Sequence, residues 1–359
     1  MSASLQVDLG KIRLNAATVV ERCRERSIAV LGVTKGVTAI APIVRAVADA
    51  GVAGLADSRL ENIIEMRDNG VHLPITLLRI PTLSDVHSVI RYTDASVNSE
   101  LSVIQALADA ARNRGRVHQV ILMIDVGDRR EGVLAENALR AAAAVAAIPG
   151  VHLSGIGTNM GCFGGVLPSC DNLGLLVRLT RLIEDRLDRK LDVVSGGGTS
   201  SLQLLEQGLL PAGINQLRIG EAIFLGTDTT HQRAVPGLQQ DAFCLQAEII
   251  ELKDKPSLPE GEIGRDAFGN IPRFIDRGNR RRAIVALGRQ DVNIEEIKPL
   301  LAGIAVLGAS SDHLILDVSD CERDIRVGDG IGFTLTYAGL LSACQSRYIA
   351  KVFSGGCND

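Results

Sequence analysis

The sequence is poor in aromatic residues and contains no tryptophan: Phe, Tyr and Trp together make up 3% of its 359 residues. Its 38 basic and 42 acidic side chains give a net charge of −4, without a long run of either sign. Nucleic-acid-binding surfaces combine a basic patch with aromatic rings on which bases stack. The composition therefore argues against a protein that binds DNA or RNA.

Ordered cysteine spacing and long apolar runs are also missing. The seven cysteines are scattered, odd in number and never spaced as CxxC, which argues against a disulfide framework or a zinc ribbon. The longest run of small apolar residues, 141–148, is too short to span a bilayer, and no secretion signal is recognisable. Because 46% of the residues are hydrophobic, a large core is expected. We predict a soluble cytoplasmic enzyme or binding protein with no membrane partner.

Short β-rich runs alternate with amphipathic stretches up to about residue 230. Repeated strand–helix units indicate a parallel sheet, and eight of them favour a closed (β/α)8 TIM-type barrel. A doubly wound open sheet is the alternative, but no GxGxxG follows the first strand. The predicted strands are 28–34, 54–56, 75–80, 95–98, 120–126, 153–157, 192–195 and 215–219.

After Pro236 the pattern changes, because strand-like runs follow one another without long helices between them. Gly, Asp and Pro punctuate these runs, as is typical of an all-β domain. At this length two domains are expected. We predict a barrel over residues 1–235 and a smaller C-terminal β domain over 236–359. The predicted strands of that domain are 243–252, 282–287, 301–307, 314–318, 331–335 and 348–353.

Lys35 is the most informative single residue. The chain has seven lysines against 31 arginines, and this one directly follows the first predicted barrel strand. Active sites of such barrels lie at the carboxyl ends of the strands. A desolvated lysine there has a lowered pKa and can form a Schiff base. The alternative is a lysine that simply extends into solvent.

A glycine-rich turn follows the seventh predicted strand, in the segment 195–201 (SGGGTSS). Backbone N–H groups at such a turn form an anion site, and barrels commonly bind phosphate after strands 7 and 8. The eighth strand ends in Arg218 and is followed by Gly220. A tight turn without a ligand is the alternative for the glycines alone. Lysine after strand 1 combined with a phosphate site after strands 7 and 8 is the layout expected for pyridoxal phosphate.

With these motifs the chain resembles the alanine-racemase-type (fold type III) pyridoxal phosphate enzymes, and most closely their ornithine/alanine racemase branch. The resemblance covers essentially the whole chain. Its segments are 7–9 with Asn15, 32–35, 124–133, 155–159 with 164–165, 195–201, 217–222, 264–269, 308–313 and Tyr337.

The resemblance implies that Lys35 carries pyridoxal 5'-phosphate as a Schiff base and is one catalytic base. It also implies that Arg218 donates to the pyridine nitrogen and that Arg130 faces the ring hydroxyl and the substrate carboxylate. Asn159 stands where alanine racemases have a histidine against the ring. A guanidinium does not give up its proton, so the ring remains a weak electron sink, which favours reprotonation over side reactions. The implied phosphate contacts are Ser195, Gly196, Gly197, Gly198, Gly220 and Tyr337.

Two departures from the family pattern affect the second catalytic base. Alanine racemases have a tyrosine four residues beyond the lysine, where this chain has Ala39, and a catalytic tyrosine in a second-domain segment that here reads GRDAFG, residues 264–269. Because racemisation needs a proton donor on each face of the intermediate, another group must serve. We predict Asp266 or His313. The family also implies a homodimer in which the partner's C-terminal domain completes each active site.

The predicted function is therefore a two-base amino acid racemase, with ornithine as the leading substrate and alanine, serine, lysine or arginine as further possibilities. The alternatives are a D-amino acid lyase (aldolase or dehydratase) of the same fold and a non-catalytic pyridoxal phosphate carrier. The lyases need a metal-ligand pair of which Asp312 and His313 supply only half, so no metal is expected. A carrier would end near residue 235. The sequence does not identify the acidic residue that would hold a distal ammonium.

Overall fold

The chain folds into two compact units, seen in a computed structural model that describes residues 2–356. One unit contains residues 9–240. The other combines the described residues before Leu9 with those from Asp241 onward. Among residues 2–356, no helix has both the length and the apolar character needed to cross a membrane.

Strands and helices alternate in the first unit, whereas strands dominate the second. The strands are β1 (Ala3–Asp8), β2 (Ala29–Val33), β3 (Gly54–Asp57), β4 (Ile75–Leu77), β5 (Ala95–Asn98), β6 (His118–Asp125), β7 (Val133–Leu134), β8 (Val151–Thr158), β9 (Val193–Gly196), β10 (Gln216–Ile219), β11 (Thr227–Asp228), β12 (Arg233–Ala234), β13 (Phe243–Pro256), β14 (Asn279–Val285), β15 (Ile297–Pro299), β16 (Ala305–Ala309), β17 (Leu314–Asp317), β18 (Gly330–Leu335) and β19 (Ala350–Ser354). The helices are α1 (Leu9–Arg24), α2 (Ala41–Ala48), α3 (Leu60–Asp68), α4 (Val86–Tyr92), α5 (Leu101–Arg112), α6 (Ala138–Ala146), α7 (Cys170–Leu187), α8 (Leu202–Glu206), α9 (Glu221–Leu225) and α10 (Tyr337–Gln345).

Eight parallel strands close into a barrel. They pair in the order β2, β3, β4, β5, β6, β8, β9 and β10, and β10 returns to β2 with Ile219 opposite Gly32. The TIM-type barrel predicted from the sequence is confirmed, and each of its predicted strands overlaps an observed one. The prediction succeeds because parallel strands are covered on both faces and therefore form continuous apolar runs.

Small groups of apolar side chains form the core of the barrel. Leu31, Val33 and Ala56 pack together, with Leu78 against them. Leu78 also contacts a second group that includes Val97 and Met123. The helices bury one face against the outside of the strands, as α5 does with Ile104, Leu107, Ala108 and Ala111, all essentially inaccessible to solvent. Polar side chains at the strand ends are thereby held above a packed interior.

The second unit is built on a sheet in the order β15, β18, β13, β14, β17, β16, which confirms the predicted all-β character. β1 pairs antiparallel with β13 and parallel with β19, so this sheet includes the first strand of the chain. Ala3, Leu5 and Val7 point into its core, alternating with less buried residues. The two units divide between Gln240 and Asp241, five residues after the predicted boundary.

Asn15 connects three backbone groups within the barrel unit. Its side chain, fully buried in α1, donates to the carbonyls of Ile223 and Gln239 at 3.1 and 2.9 Å and accepts from the Gln239 N–H at 2.7 Å. In Asn15→Leu these groups lose their partner, and we expect the free energy of unfolding in urea to fall by about 3 kcal/mol. Asn69→Leu removes an exposed amide bonded to the Glu65 carbonyl and should change it by less than about 0.5 kcal/mol. Equal losses would contradict this role of Asn15.

Candidate active site

A cavity of about 310 Å³ lies among the carboxyl ends of the barrel strands. All of its lining residues belong to the barrel unit, and four of them were singled out from the sequence. The lining residues are Lys35, Ser58, Leu78, Arg79, Ile80, Val97, Met123, Arg130, Glu131, Asn159 and Arg218.

Lys35 opens a short 3-10 turn, Lys35–Val37, directly after β2 and Thr34. Burial lowers the pKa of its amine. The charges of Arg130 and Arg218 lower this pKa further, while Cys162 and Asp57 act in the opposite direction. An amine of this kind holds its proton less tightly than a lysine in water, which makes it a better nucleophile and proton acceptor near neutral pH.

The turn that presents Lys35 is anchored by the buried carboxylate of Asp57. The Thr34 hydroxyl donates to Asp57 Oδ2 at 2.8 Å. The Arg59 N–H and the Asn62 amide donate to Oδ1 at 2.9 and 3.0 Å. Asp57 is fully buried, and burial raises the pKa of this carboxyl although the three hydrogen bonds act to lower it. Asp57 therefore fixes the lysine turn to the end of β3.

Arg218 lies in β10 and is 7% exposed. Its Nη1 donates to the Ser195 hydroxyl, and its Nη2 donates to the Thr158 carbonyl at 2.7 Å. Burial lowers the pKa of Arg218 to about 10, against the opposing effect of the Glu131 carboxylate. The guanidinium therefore remains charged at neutral pH and is held rigidly across the ends of β8 and β9.

Arg130 connects two other side chains of the cavity wall. Its Nε and Nη2 donate to the two carboxylate oxygens of Glu131. With its amide oxygen turned toward the guanidinium, Asn159 accepts from Nη1 at 3.0 Å and from Nη2 at 2.5 Å. The hydrogen bond to Glu131 raises the pKa of Arg130. Arg130, Glu131 and Asn159 thus form one network along the wall.

The loop after β6 folds back tightly onto its own strand. Asp125 Oδ1 accepts from the Gly127 N–H at 2.8 Å, and Val133 of β7 pairs with Ile124 of β6. Gly132 has φ +132°, and a Cβ placed there would lie 2.5 Å from the Asp125 nitrogen. This return requires glycine, and it directs the two preceding side chains into the cavity.

Replacement of Gly132 by alanine should displace that loop. Because the backbone conformation and the close approach both oppose a side chain, we expect the free energy of unfolding in urea to fall by about 2–4 kcal/mol. Gly115→Ala is the matched control: its φ is +63°, but nothing lies within 4 Å of the added Cβ, so a loss of only about 1 kcal/mol is expected. Equal losses for both variants would mean that the contact with Asp125 is unimportant.

The glycine-rich segment after β9 meets the loop after β10. Gly197 has φ +98°, and a Cβ on Gly198 would lie 3.1 Å from the Arg218 carbonyl. The Thr199 hydroxyl accepts from the Ala222 N–H at 3.3 Å. Gly220 approaches the adjacent strand β2, since a Cβ there would lie 3.1 Å from the Val33 carbonyl. The predicted glycines therefore lie against β10 and β2, the strand that precedes the Lys35 turn.

Three predicted residues lie in the other unit. Asp266 is exposed, and its Oδ1 accepts from the Phe268 and Asn270 N–H groups at 2.9 and 2.8 Å. These bonds, chiefly those from Asn270, lower the pKa of the Asp266 carboxyl. His313 is exposed in the turn between β16 and β17, where its backbone N–H donates to the Ser310 hydroxyl at 3.2 Å. Tyr337 begins α10.

The structure also bears on the metal and on Cys162. Within residues 2–356, no three His, Cys, Asp or Glu side chains converge as a metal site. Cys162 lies in the loop after β8 and is exposed. Electrostatic interaction with Cys162 acts to raise the pKa values of Lys35, Arg130 and Arg218. Cys162 therefore lies close to the cavity.

With this geometry established, comparison with known proteins identifies the family. The model for "Alanine racemase, N-terminal domain" matches residues 7–228. The chain belongs to this family. An ornithine racemase of Acetoanaerobium sticklandii is 41% identical over 98% of this chain and 99% of its own length. A lysine racemase of Thermotoga maritima is also 41% identical, over 97% of this chain and 98% of the relative.

Solved structures of an alanine racemase and of a D-threonine aldolase share the fold of this chain. The alanine racemase of a D-cycloserine-producing Streptomyces lavendulae has a TM-score of 0.77, at 20% identity, covering 100% of this chain and 98% of that one. The D-threonine aldolase of Filomicrobium marinum has a TM-score of 0.75 at 17% identity, with 99% and 91% covered. At such identities the comparison establishes the architecture alone.

Sequence reasoning did not single out Glu131 or Asp128. Glu131 stands beside Arg130 in the segment that carries the family resemblance, and its charge was the available signal. Asp128 is 2% exposed and accepts from the Phe163 and Val166 N–H groups at 3.0 and 3.3 Å. It thereby joins the loops after β6 and β8, a contact between residues 35 or more apart that no local pattern indicates.

Proposed function

We propose that this protein is a pyridoxal phosphate-dependent amino acid racemase whose substrate is a diamino acid, with ornithine first and lysine second. The observation that carries the proposal is one cavity lined by a lysine of lowered pKa and by a buried guanidinium. The glycine-rich segment adjoins it, since Gly198 lies against the backbone of Arg218. Family membership supports the racemase activity. The two relatives at 41% identity are named for ornithine and lysine, which supports the substrate class.

The residues of the cavity fit pyridoxal phosphate. Lys35 supplies the amine that would hold its aldehyde carbon. Gly197 has φ +98° and Gly198 lies against the Arg218 carbonyl, so both positions disfavour a side chain. Together with Gly196, Gly220 and the Ser195 hydroxyl they are the proposed phosphate site. Arg218 would face the ring nitrogen, and Arg130 the ring hydroxyl or the substrate carboxylate. Tyr337 remains a predicted phosphate contact from the other unit.

When bound, pyridoxal phosphate supplies an electron sink that acidifies the substrate Cα–H bond. The chain must then move a proton on each face of Cα. Lys35, with its lowered pKa, serves as the acceptor on one face. Arg218 keeps its proton at neutral pH and therefore limits the charge that the ring can withdraw. Arg130 fixes the substrate carboxylate, which orients the Cα–H bond toward the base.

Asp266 and His313 are the proposed donors for the opposite face. Imidazole both gives and takes protons near neutral pH, whereas an ionised carboxylate acts only as an acceptor. The lowered pKa of Asp266 keeps that side chain ionised, which favours His313 of the two. Comparison of His313→Gln with Asp266→Asn, by exchange of the Cα proton in deuterated water from each enantiomer, separates the candidates.

A homodimer in which the C-terminal unit of one subunit completes the cavity of the other is part of this proposal. Large apolar side chains in the irregular segment between β13 and β14 support it, because they are 42–74% exposed. Apolar exposure of this extent is typical of an interaction surface. These residues are Leu258, Ile263, Phe268, Ile271, Phe274 and Ile275. A cytoplasmic location stays a prediction.

The test is to incubate the purified protein with pyridoxal phosphate and single enantiomers of ornithine, lysine, arginine, alanine and serine. Chiral chromatography should show conversion of ornithine or lysine to a near-equal mixture of enantiomers. If cleavage or deamination products form instead, a lyase of the same fold is indicated. If pyridoxal phosphate binds but no amino acid changes, the protein is a carrier and the proposal fails.

A further inference from the structure

The charge of the cavity wall is strongly unbalanced. Four basic side chains line it: Lys35, Arg79, Arg130 and Arg218. Among the described residues that line the cavity, Glu131 is the only acidic one. Anionic groups of a ligand therefore have several possible partners there, whereas a second cationic group has one. A cavity of this composition discriminates between ligands by the position of their positively charged group.

Glu131 is fixed in place, yet it retains capacity to accept further hydrogen bonds. Its side chain is 18% exposed and accepts two N–H groups of Arg130, one on each carboxylate oxygen. An ionised carboxylate has about four lone-pair sites, so about two remain. The return at Gly132 holds the backbone of the next residue against Asp125, which restricts the directions that the Glu131 side chain can take.

We propose that Glu131 selects substrates that carry a cationic group at the end of the side chain, by accepting the hydrogen bond of that distal ammonium. The inference rests on the proposed racemase function and deepens it, since it names the residue that makes a diamino acid the substrate. Pairing with Arg130 keeps the carboxylate satisfied in the absence of substrate. A distal ammonium shares that carboxylate, whereas a purely aliphatic side chain leaves the pair as it is.

The experiment compares wild type with Glu131→Gln on L-ornithine and L-norvaline, which has the same carbon chain without the distal amine. Loss of one charge-assisted hydrogen bond should lower kcat/KM for ornithine about 10- to 100-fold. The loss for norvaline should be much smaller, because norvaline has no distal ammonium and is affected only through the altered contact between residue 131 and Arg130. Glu136→Gln is the matched control, because it removes the same charge from an exposed residue further along the chain that does not line the cavity.

A binding measurement provides a readout that does not depend on turnover. Calorimetric titration with 1,4-diaminobutane should give a dissociation constant about 10- to 100-fold higher for Glu131→Gln than for wild type or Glu136→Gln. If kcat/KM falls equally for ornithine and norvaline in Glu131→Gln, the residue only orients Arg130 and the inference is overturned. A wild type that does not prefer ornithine to norvaline also overturns it.

Different results would contradict the racemase activity and the role of Glu131. If the wild type racemises no amino acid, the racemase proposal fails, and the diaminobutane titration alone then decides the role of Glu131. Selective loss of diaminobutane binding in Glu131→Gln supports the assignment in that case. Unchanged binding overturns it.

Discussion

Lys35→Ala is expected to abolish the visible absorbance that the protein retains after dialysis from pyridoxal phosphate, and to lower its racemase activity by more than about a thousandfold. Burial lowers the pKa of this amine, so a larger fraction is unprotonated at neutral pH than for a lysine in water. Among residues 2–356, no other lysine lines the cavity. Spectra and chiral chromatography measure the two losses.

Two further variants separate the chemistry of Lys35 from its charge. Lys35→Arg keeps a positive charge but removes the nucleophilic amine, so it should behave like Lys35→Ala. Lys190→Ala, whose exposed amine pairs with Glu184, should retain absorbance and activity. Borohydride treatment of the wild type followed by peptide mapping should find the cofactor on Lys35. Label on Lys190 instead, or an active Lys35→Arg variant, would refute this role.

The barrel was predictable from the sequence because its evidence is local. Each buried strand is a short apolar run, and each ends close to a polar residue at the same edge of the sheet. Lys35 and Arg218 could be found in that way. Strand β1 could not, because a six-residue alternation acquires meaning only from its partner β13, about 240 residues later. The place of β1 in the second sheet is therefore a tertiary property.

The roles of site residues that the sequence did not reveal also depend on tertiary contacts. Asp57 ends β3, the strand beside the one that precedes Lys35. Its carboxylate accepts a hydrogen bond from the Thr34 hydroxyl. Asn98 also ends a strand, and its amide binds Ser96 instead of lining the cavity. Position at a strand end thus indicates proximity to the site, whereas the direction of a side chain depends on the turn that follows. The sharp return at Gly132 shows this most clearly, because it directs the side chains of Arg130 and Glu131 into the cavity.

Arg218→Lys is the second variant expected to have a large effect. The planar guanidinium bonds the Ser195 hydroxyl and the Thr158 carbonyl at once, in a position that is 7% exposed. An ammonium cannot reproduce that fork, and when buried it releases its proton more readily. We expect kcat to fall about 10²- to 10³-fold, the loss typical of one preorganised charge in a reaction site.

The product distribution of Arg218→Lys should change together with its rate. A lysine at this position could pass its proton to the ring nitrogen, which would strengthen the electron sink and increase the fraction of turnovers that end in transamination. In that side reaction the cofactor would keep the amino group and the substrate would leave as a keto acid. Release of keto acid per racemisation event measures that fraction. Arg129→Lys is the same exchange at an arginine whose side chain is 66% exposed, and it should change neither quantity. Of these two arginines, only Arg218 lines the cavity. Equal effects at both positions would therefore show that the loss comes from a general effect on charge or folding.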